Sequence, residues 1–180
     1  MYKPIAVAFL VSAVVSGIAA YPRAARAFSR YSGTEACQQS ALGSLPNLGA
    51  ADNWRHQSGY GFRWLGTGSA GRAVCPIVDD TSLPKGNIAD VTVYVHDGST
   101  SAWVYARACG QNPVGSAIYC GISASSGLPS FTGYDNFTIT DVSPWAGIVN
   151  LYQAYLYVEA PASGGTSTTD SRVIAYAYGD

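Results

Sequence analysis

From Arg72 onward, apolar and polar positions alternate with a period of two, the pattern of strands that bury one face. In Asp90-Val91-Thr92-Val93-Tyr94-Val95-His96 the three valines fall on one side, and Thr92, Tyr94 and His96 fall on the other, solvent-facing side. Ser101-Ala102-Trp103-Val104-Tyr105-Ala106-Arg107 follows after Asp97-Gly98-Ser99. Asp-Gly between alternating runs signals a hairpin, so these two strands are predicted to pair. Tyr134 to Thr140, Val149 to Ala160 and Ser171 to Gly179 repeat the texture, broken by Pro144-Trp145-Ala146-Gly147 and by a loop from Gly164 to Thr169. With Tyr60 to Leu65 and Arg72 to Val78, the count reaches about eight strands at sandwich spacing. The predicted fold is all-β, an antiparallel β-sandwich over residues 60–180. Helical periodicity is confined to a short turn over Glu35 to Leu42, capped by Thr34. Residues 28–59 are otherwise expected to be irregular, with Gly, Pro and Asn punctuating Ser44 to Ser58.

The start of the chain breaks this pattern. Lys3, the apolar run from Ile5 to Val15 and small residues up to Ala27 carry the three parts of an export signal. Residues 1–27 are therefore expected to be a signal peptide cleaved before Phe28; Gly17-Ile18-Ala19 offers a competing cleavage point. The unbroken run from Ile5 to Ala20 is shorter than the roughly 20 residues that span a bilayer. The expected location is secreted or periplasmic, with no membrane-spanning segment after cleavage.

Removal of the signal also shifts the charge. The full chain has ten basic and eleven acidic residues; Lys3, Arg23 and Arg26 would leave with the signal, giving a mature chain of net charge −4. Phosphate polymers and anionic lipid surfaces need clustered cations, so nucleic acid is excluded as a partner class.

Cys37, Cys75, Cys109 and Cys120 all lie beyond the signal, and an even count in an exported chain reads as two disulfides. Sequence alone allows three pairings. A hairpin from the Trp103 run to the Ser116 to Ile122 run would bring Cys109 to Cys120, and Cys37 then falls to Cys75. Metal-type Cys-x-x-Cys spacing is absent, so no metal or other cofactor is expected.

Val74-Cys75-Pro76-Ile77, the Val91 to Val95 strand, the Cys109 to Cys120 hairpin and the ending Ser171-Arg172-Val173-Ile174-Ala175-Tyr176 together resemble uncharacterised secreted bacterial β-rich proteins with a Cys-Pro-apolar motif. The resemblance covers roughly Tyr60 to Asp180 and implies a secreted, disulfide-bonded β-sandwich. It implies no catalytic residue. Such chains often carry a further cysteine where this one runs Tyr155-Leu156-Tyr157-Val158, so the resemblance does not transfer a disulfide pairing.

Chemistry-bearing residues are few. His56 and His96 are the two histidines, and His96 is expected to be a polar residue on the solvent face of a strand end. A serine-nucleophile elbow, Gly-x-Ser-x-Gly, is absent. Most carboxylates sit where turns want them, and no Asp-x-Asp-x-Asp-Gly calcium loop occurs. Thirteen tyrosines and four tryptophans form the more informative set. Along Val149 to Ala160, Gln153, Tyr155, Tyr157 and Glu159 share one face, an aromatic and polar stripe that makes a candidate ligand surface. Strand propensity by itself also favours tyrosine there. The tryptophans Trp54, Trp64, Trp103 and Trp145 are expected to anchor the core or cover a sheet.

The expected function is non-enzymatic: an exported sandwich acting by surface contact with a polysaccharide or another envelope component. Two rivals are an extracellular hydrolase using Asp and Glu carboxylates, and a structural subunit of a surface assembly pairing through exposed strand edges.

Overall fold

The computed structural model describes residues 29–39, 54–57, 61–68, 70–79, 81–111, 117–127, 132–146, 153–165 and 169–180. The expected signal, residues 1–27, lies outside the described residues, as do 112–116 and 147–152. Twelve strands are present among the described residues: β1 (Ser29–Gly33), β2 (Gln38–Gln39), β3 (Trp54–Gln57), β4 (Gly61–Trp64), β5 (Gly71–Pro76), β6 (Asp90–Asp97), β7 (Tyr105–Gln111), β8 (Ile118–Cys120), β9 (Ala124–Ser125), β10 (Gly133–Ile139), β11 (Gln153–Ala160) and β12 (Arg172–Gly179). One short helix, α1 (Ser143–Ala146), accompanies them.

The strands form two six-stranded antiparallel sheets with a shared core, the predicted β-sandwich. Sheet 1 runs β10-β6-β12-β4-β3, with β1 also on β12; sheet 2 runs β2-β5-β11-β7-β8, with β9 also on β7. Val91, Val93 and Val95 of β6 face Leu156, Val158 and Ala160 of β11 through one hydrophobic cluster, and all six are fully buried. Each buried aliphatic side chain of this kind stabilises by roughly 1.5–3 kcal/mol. Tyr176 and Tyr178 of β12 lie in the same core with their rings stacked, centroids 6.2 Å apart. Their hydroxyls cross to sheet 2: Tyr176 donates to the Pro76 carbonyl at 2.7 Å, and Tyr178 accepts from the Val78 amide at 3.2 Å.

Several expectations are corrected. Residues 28–59 are not uniformly irregular: β1, β2 and β3 lie there and extend both sheets. The predicted helical turn shrinks to a single 3-10 turn, Thr34–Ala36, and β2 follows at once. Cys37 ends that turn because it is drawn into the core by its disulfide to Cys75. The second disulfide joins Cys109 to Cys120, which stand opposite each other in the β7–β8 ladder.

The predicted pairing of the 90–96 and 101–107 runs is also wrong. β6 pairs with β10 and β12 in sheet 1, whereas β7 belongs to sheet 2. The segment between them is an arch across the sandwich rather than the expected hairpin turn at Asp97-Gly98-Ser99. Asp97 organises it: this buried carboxylate accepts from the Ser99 amide at 3.0 Å, the Val104 amide at 3.3 Å and the Ser126 hydroxyl. Gly98 is required because a Cβ there would collide with the Thr169 carbonyl.

Candidate functional site

Three adjacent strands, β5, β11 and β7, set the outward face of sheet 2 as a grid. In one row Arg72, Glu159 and Tyr105 stand side by side; in the next, Val74, Tyr157 and Arg107; in a third, Pro76, Tyr155 and Cys109. The alternation that turns Leu156 and Val158 inward turns these residues outward.

In the third row Pro76 is exposed, but its two partners are covered. Cys109 is fully buried on this side, and Tyr155 is 7% exposed, its hydroxyl without a hydrogen-bond partner among the described residues. Burial, reinforced by Tyr157 and opposed by Arg107, pushes the Tyr155 phenol above its ordinary value. Tyr155 therefore does not form part of an open ligand surface, although the stripe reading placed it there. Gln153 is exposed but sits opposite Gln111, beyond the third row.

The first two rows remain open and make a shallow pocket of about 180 Å³ lined by Tyr105, Ala106, Arg107, Ser123, Tyr157 and Glu159. Arg72 Nε donates to Glu159 Oε2 at 3.2 Å, and the Tyr157 hydroxyl donates to the same oxygen at 3.4 Å. The Arg107 guanidinium carbon lies 4.8 Å from the Tyr157 ring centroid, a cation–π contact. Trp103, just before β7, meets Tyr105 edge to face at 5.6 Å. Burial first, then Glu159, raises the Tyr157 phenol, with Arg72 and Arg107 pulling the other way, so the hydroxyl is a neutral donor throughout the physiological range. The site thus offers aromatic surface, a carboxylate acceptor, hydroxyls and a cationic donor fork within a few ångströms.

Of the four residues of the predicted stripe, the pocket collects Tyr157 and Glu159. Tyr105, Arg107, Ser123 and the flanking Arg72 were not singled out from sequence. The alternation Trp103, Tyr105, Arg107 has the same aromatic and charged texture as Tyr155, Tyr157, Glu159 and was the signal available for two of them.

The remaining candidates have structural employment. His56 lies against Phe62, ring centroids 4.4 Å apart, and its Nε2 is 3.1 Å from the Cys37 carbonyl oxygen. His96 is not at the solvent: it is 9% exposed, with the Tyr134 ring edge-on at 5.1 Å and Arg172 directly opposite on β12. Arg172 and the backbone of Asp170 lie against it, a consequence of tertiary packing that strand alternation does not report. Burial and then the Arg172 charge lower its pKa from 6.5. Next to this pair, Arg63 donates to Asp170 through Nε at 2.6 Å and through a second guanidinium nitrogen, and Ser163 also donates to Asp170. Asp141 accepts from the Ser143 hydroxyl at 2.6 Å and the Ile122 amide at 2.7 Å, which hold it below the usual carboxylate range. No group of three or more potential metal ligands occurs among the described residues. Trp54, Trp64 and Trp145 are buried; Trp145 donates from Nε1 to the Cys109 carbonyl at 2.8 Å.

No protein-family model matches the chain, and no curated protein matches it in sequence. Among solved structures it is similar to a xylan-binding module CBM15, with a TM-score of 0.48 and 15% identity over 84% of this chain and 95% of that one. A likeness at that level assigns no ligand to this chain.

Proposed function

We propose that this chain is an exported, non-enzymatic contact module whose ligand is a polysaccharide, received on the outward face of sheet 2. The observation that carries the reading is the pocket where Tyr105, Arg107, Tyr157 and Glu159 converge from two neighbouring strands. Sugars present apolar C–H faces ringed by hydroxyls, and they are matched by rigid aromatic surface beside charged hydrogen-bonding groups. Tyr105 supplies the surface, Glu159 accepts from hydroxyls, and Arg107 donates. The strands are stiffened by the Cys109–Cys120 bond at one end of the face. Two disulfides also suit an oxidising compartment, and the signal-like residues 1–27 supply the export route. The pocket lining holds one carboxylate, Glu159, so the hydrolase reading, which needs two, draws no support from this site.

The test is a glycan array probed with the folded protein and with Tyr105→Ala. The wild type is expected to bind at least one polysaccharide class, and the variant to bind it about tenfold more weakly or worse, in line with loss of an aromatic contact at a binding surface. Absence of binding to every polysaccharide would overturn the reading.

A further inference from the structure

Among the described residues, Arg107 lacks the ion-pair partner that three other cations of the chain have. Arg63 is paired with Asp170, Arg72 with Glu159, and Lys85 with Asp79. Arg107 lines the pocket, half-buried, and meets no carboxylate within ion-pair distance among the described residues. Its one close charged neighbour in the lining, Glu159, is engaged from the other side by Arg72 and by the Tyr157 hydroxyl. The Tyr157 ring attracts the guanidinium and restrains it, but a ring face is no hydrogen-bond acceptor for a planar fork of five N–H donors. Counting the flanking Arg72, which pairs with Glu159, the site as a whole carries one net positive charge on a chain that is negative overall.

From this we infer that the glycan taken by the sheet 2 face carries a carboxylate: it is a uronate-containing polysaccharide, with the sugar carboxyl group received by Arg107. The inference rests on the glycan-contact reading above. A planar carboxylate matches a guanidinium through two parallel hydrogen bonds, which neither a neutral sugar nor a lysine at this position would reproduce. Glu159, next in the grid and paired with Arg72, accepts from the sugar hydroxyls, and its charge penalises a doubly charged phosphate more than a singly charged carboxylate. One net positive charge suits one monoanionic residue and falls far short of the cation run that a nucleic acid backbone requires.

The experiment uses the folded protein on immobilised polygalacturonate, alginate, glucuronoxylan and hyaluronan, each beside its carboxyl-reduced form, with neutral glucans, mannans and a sulfated galactan alongside. Arg107→Lys and Arg107→Gln accompany the wild type, with circular dichroism confirming that both fold. The expected result is binding to at least one uronate polymer that drops about tenfold or more on carboxyl reduction, and a similar drop on the acidic polymer for both variants. On the reduced polymer the variants should lose clearly less, relative to the wild type, than they lose on the acidic one. Equal binding to the acidic and reduced forms, or a preference for the sulfated galactan, would overturn the uronate assignment and leave the glycan-contact reading standing. Absence of binding to every polymer would overturn both.

Discussion

At the scale of single residues, buried titratable groups set how stability responds to pH. His96 is held neutral by burial and by Arg172, so its folded pKa lies below the 6.5 of the unfolded chain. Below that value the unfolded state takes up a proton that the folded state refuses, and stability falls as the pH drops. Urea midpoints are expected to decline from pH 7 toward pH 5, and His96→Gln should flatten that slope; an unchanged slope in the variant would contradict the assignment. Tyr176 acts at the opposite end. Burial first and then Tyr178 push its phenol up to about 12, while its hydroxyl donates to Pro76 across the core. The unfolded phenol ionises near 10, so the folded state holds this proton longer and its stabilising effect is lost as pH rises from about 10 through about 12. Tyr176→Phe should weaken the alkaline loss in a pH-resolved thermal melt, at the cost of one cross-sheet hydrogen bond of about 1 kcal/mol at neutral pH.

At the scale of elements, the two disulfides do different jobs. Cys37–Cys75 lies inside the core and closes a separation of 38 residues, while Cys109–Cys120 lies on the outward face of sheet 2 and closes one of 11. Loop-closure entropy predicts a loss of about 4 kcal/mol for the paired Cys37→Ser and Cys75→Ser change, and about 3 kcal/mol for Cys109→Ser with Cys120→Ser. Denaturant titration of the two double variants measures both; equal midpoints to the wild type would show that neither bond carries stability. Elements also show what the sequence could and could not convey. The alternation in Asp90 to His96 made β6 and its inward valines legible, because burial of one face is written locally. Its partners were not legible. Asp97-Gly98 looks like a tight hairpin, yet the Asp97 carboxylate spends its oxygens on Val104, Ser126 and Ser99, and the chain crosses to the other sheet. The candidate site was half legible for the same reason. Tyr157 and Glu159 follow from the alternation of one strand, but Arg72 and Arg107 reach them only through the antiparallel register of β5, β11 and β7, which joins positions far apart in sequence. Tyr155 shares their face but is lost beneath neighbours that strand periodicity does not see.

At the scale of the whole molecule, the sandwich separates stability from contact. Sheet 1 lends the core its valines and tyrosines, and its Arg63 is held by Asp170. Sheet 2 presents an open pocket whose aromatic, acidic and basic groups sit on strands rather than loops, so the site is rigid before a ligand arrives. No helix among the described residues is long and apolar enough to cross a membrane. The most direct test of this arrangement is amide chemical-shift mapping by NMR on the isotope-labelled protein, titrated with an oligosaccharide from the polysaccharide it binds best. The account predicts shifts concentrated at Tyr105, Arg107, Ser123, Tyr157 and Glu159, with Arg72 responding through its pair. Shifts clustered instead around Tyr94 and Tyr134 on the outward face of sheet 1, or along the exposed Ile118 and Tyr119 edge, would contradict it.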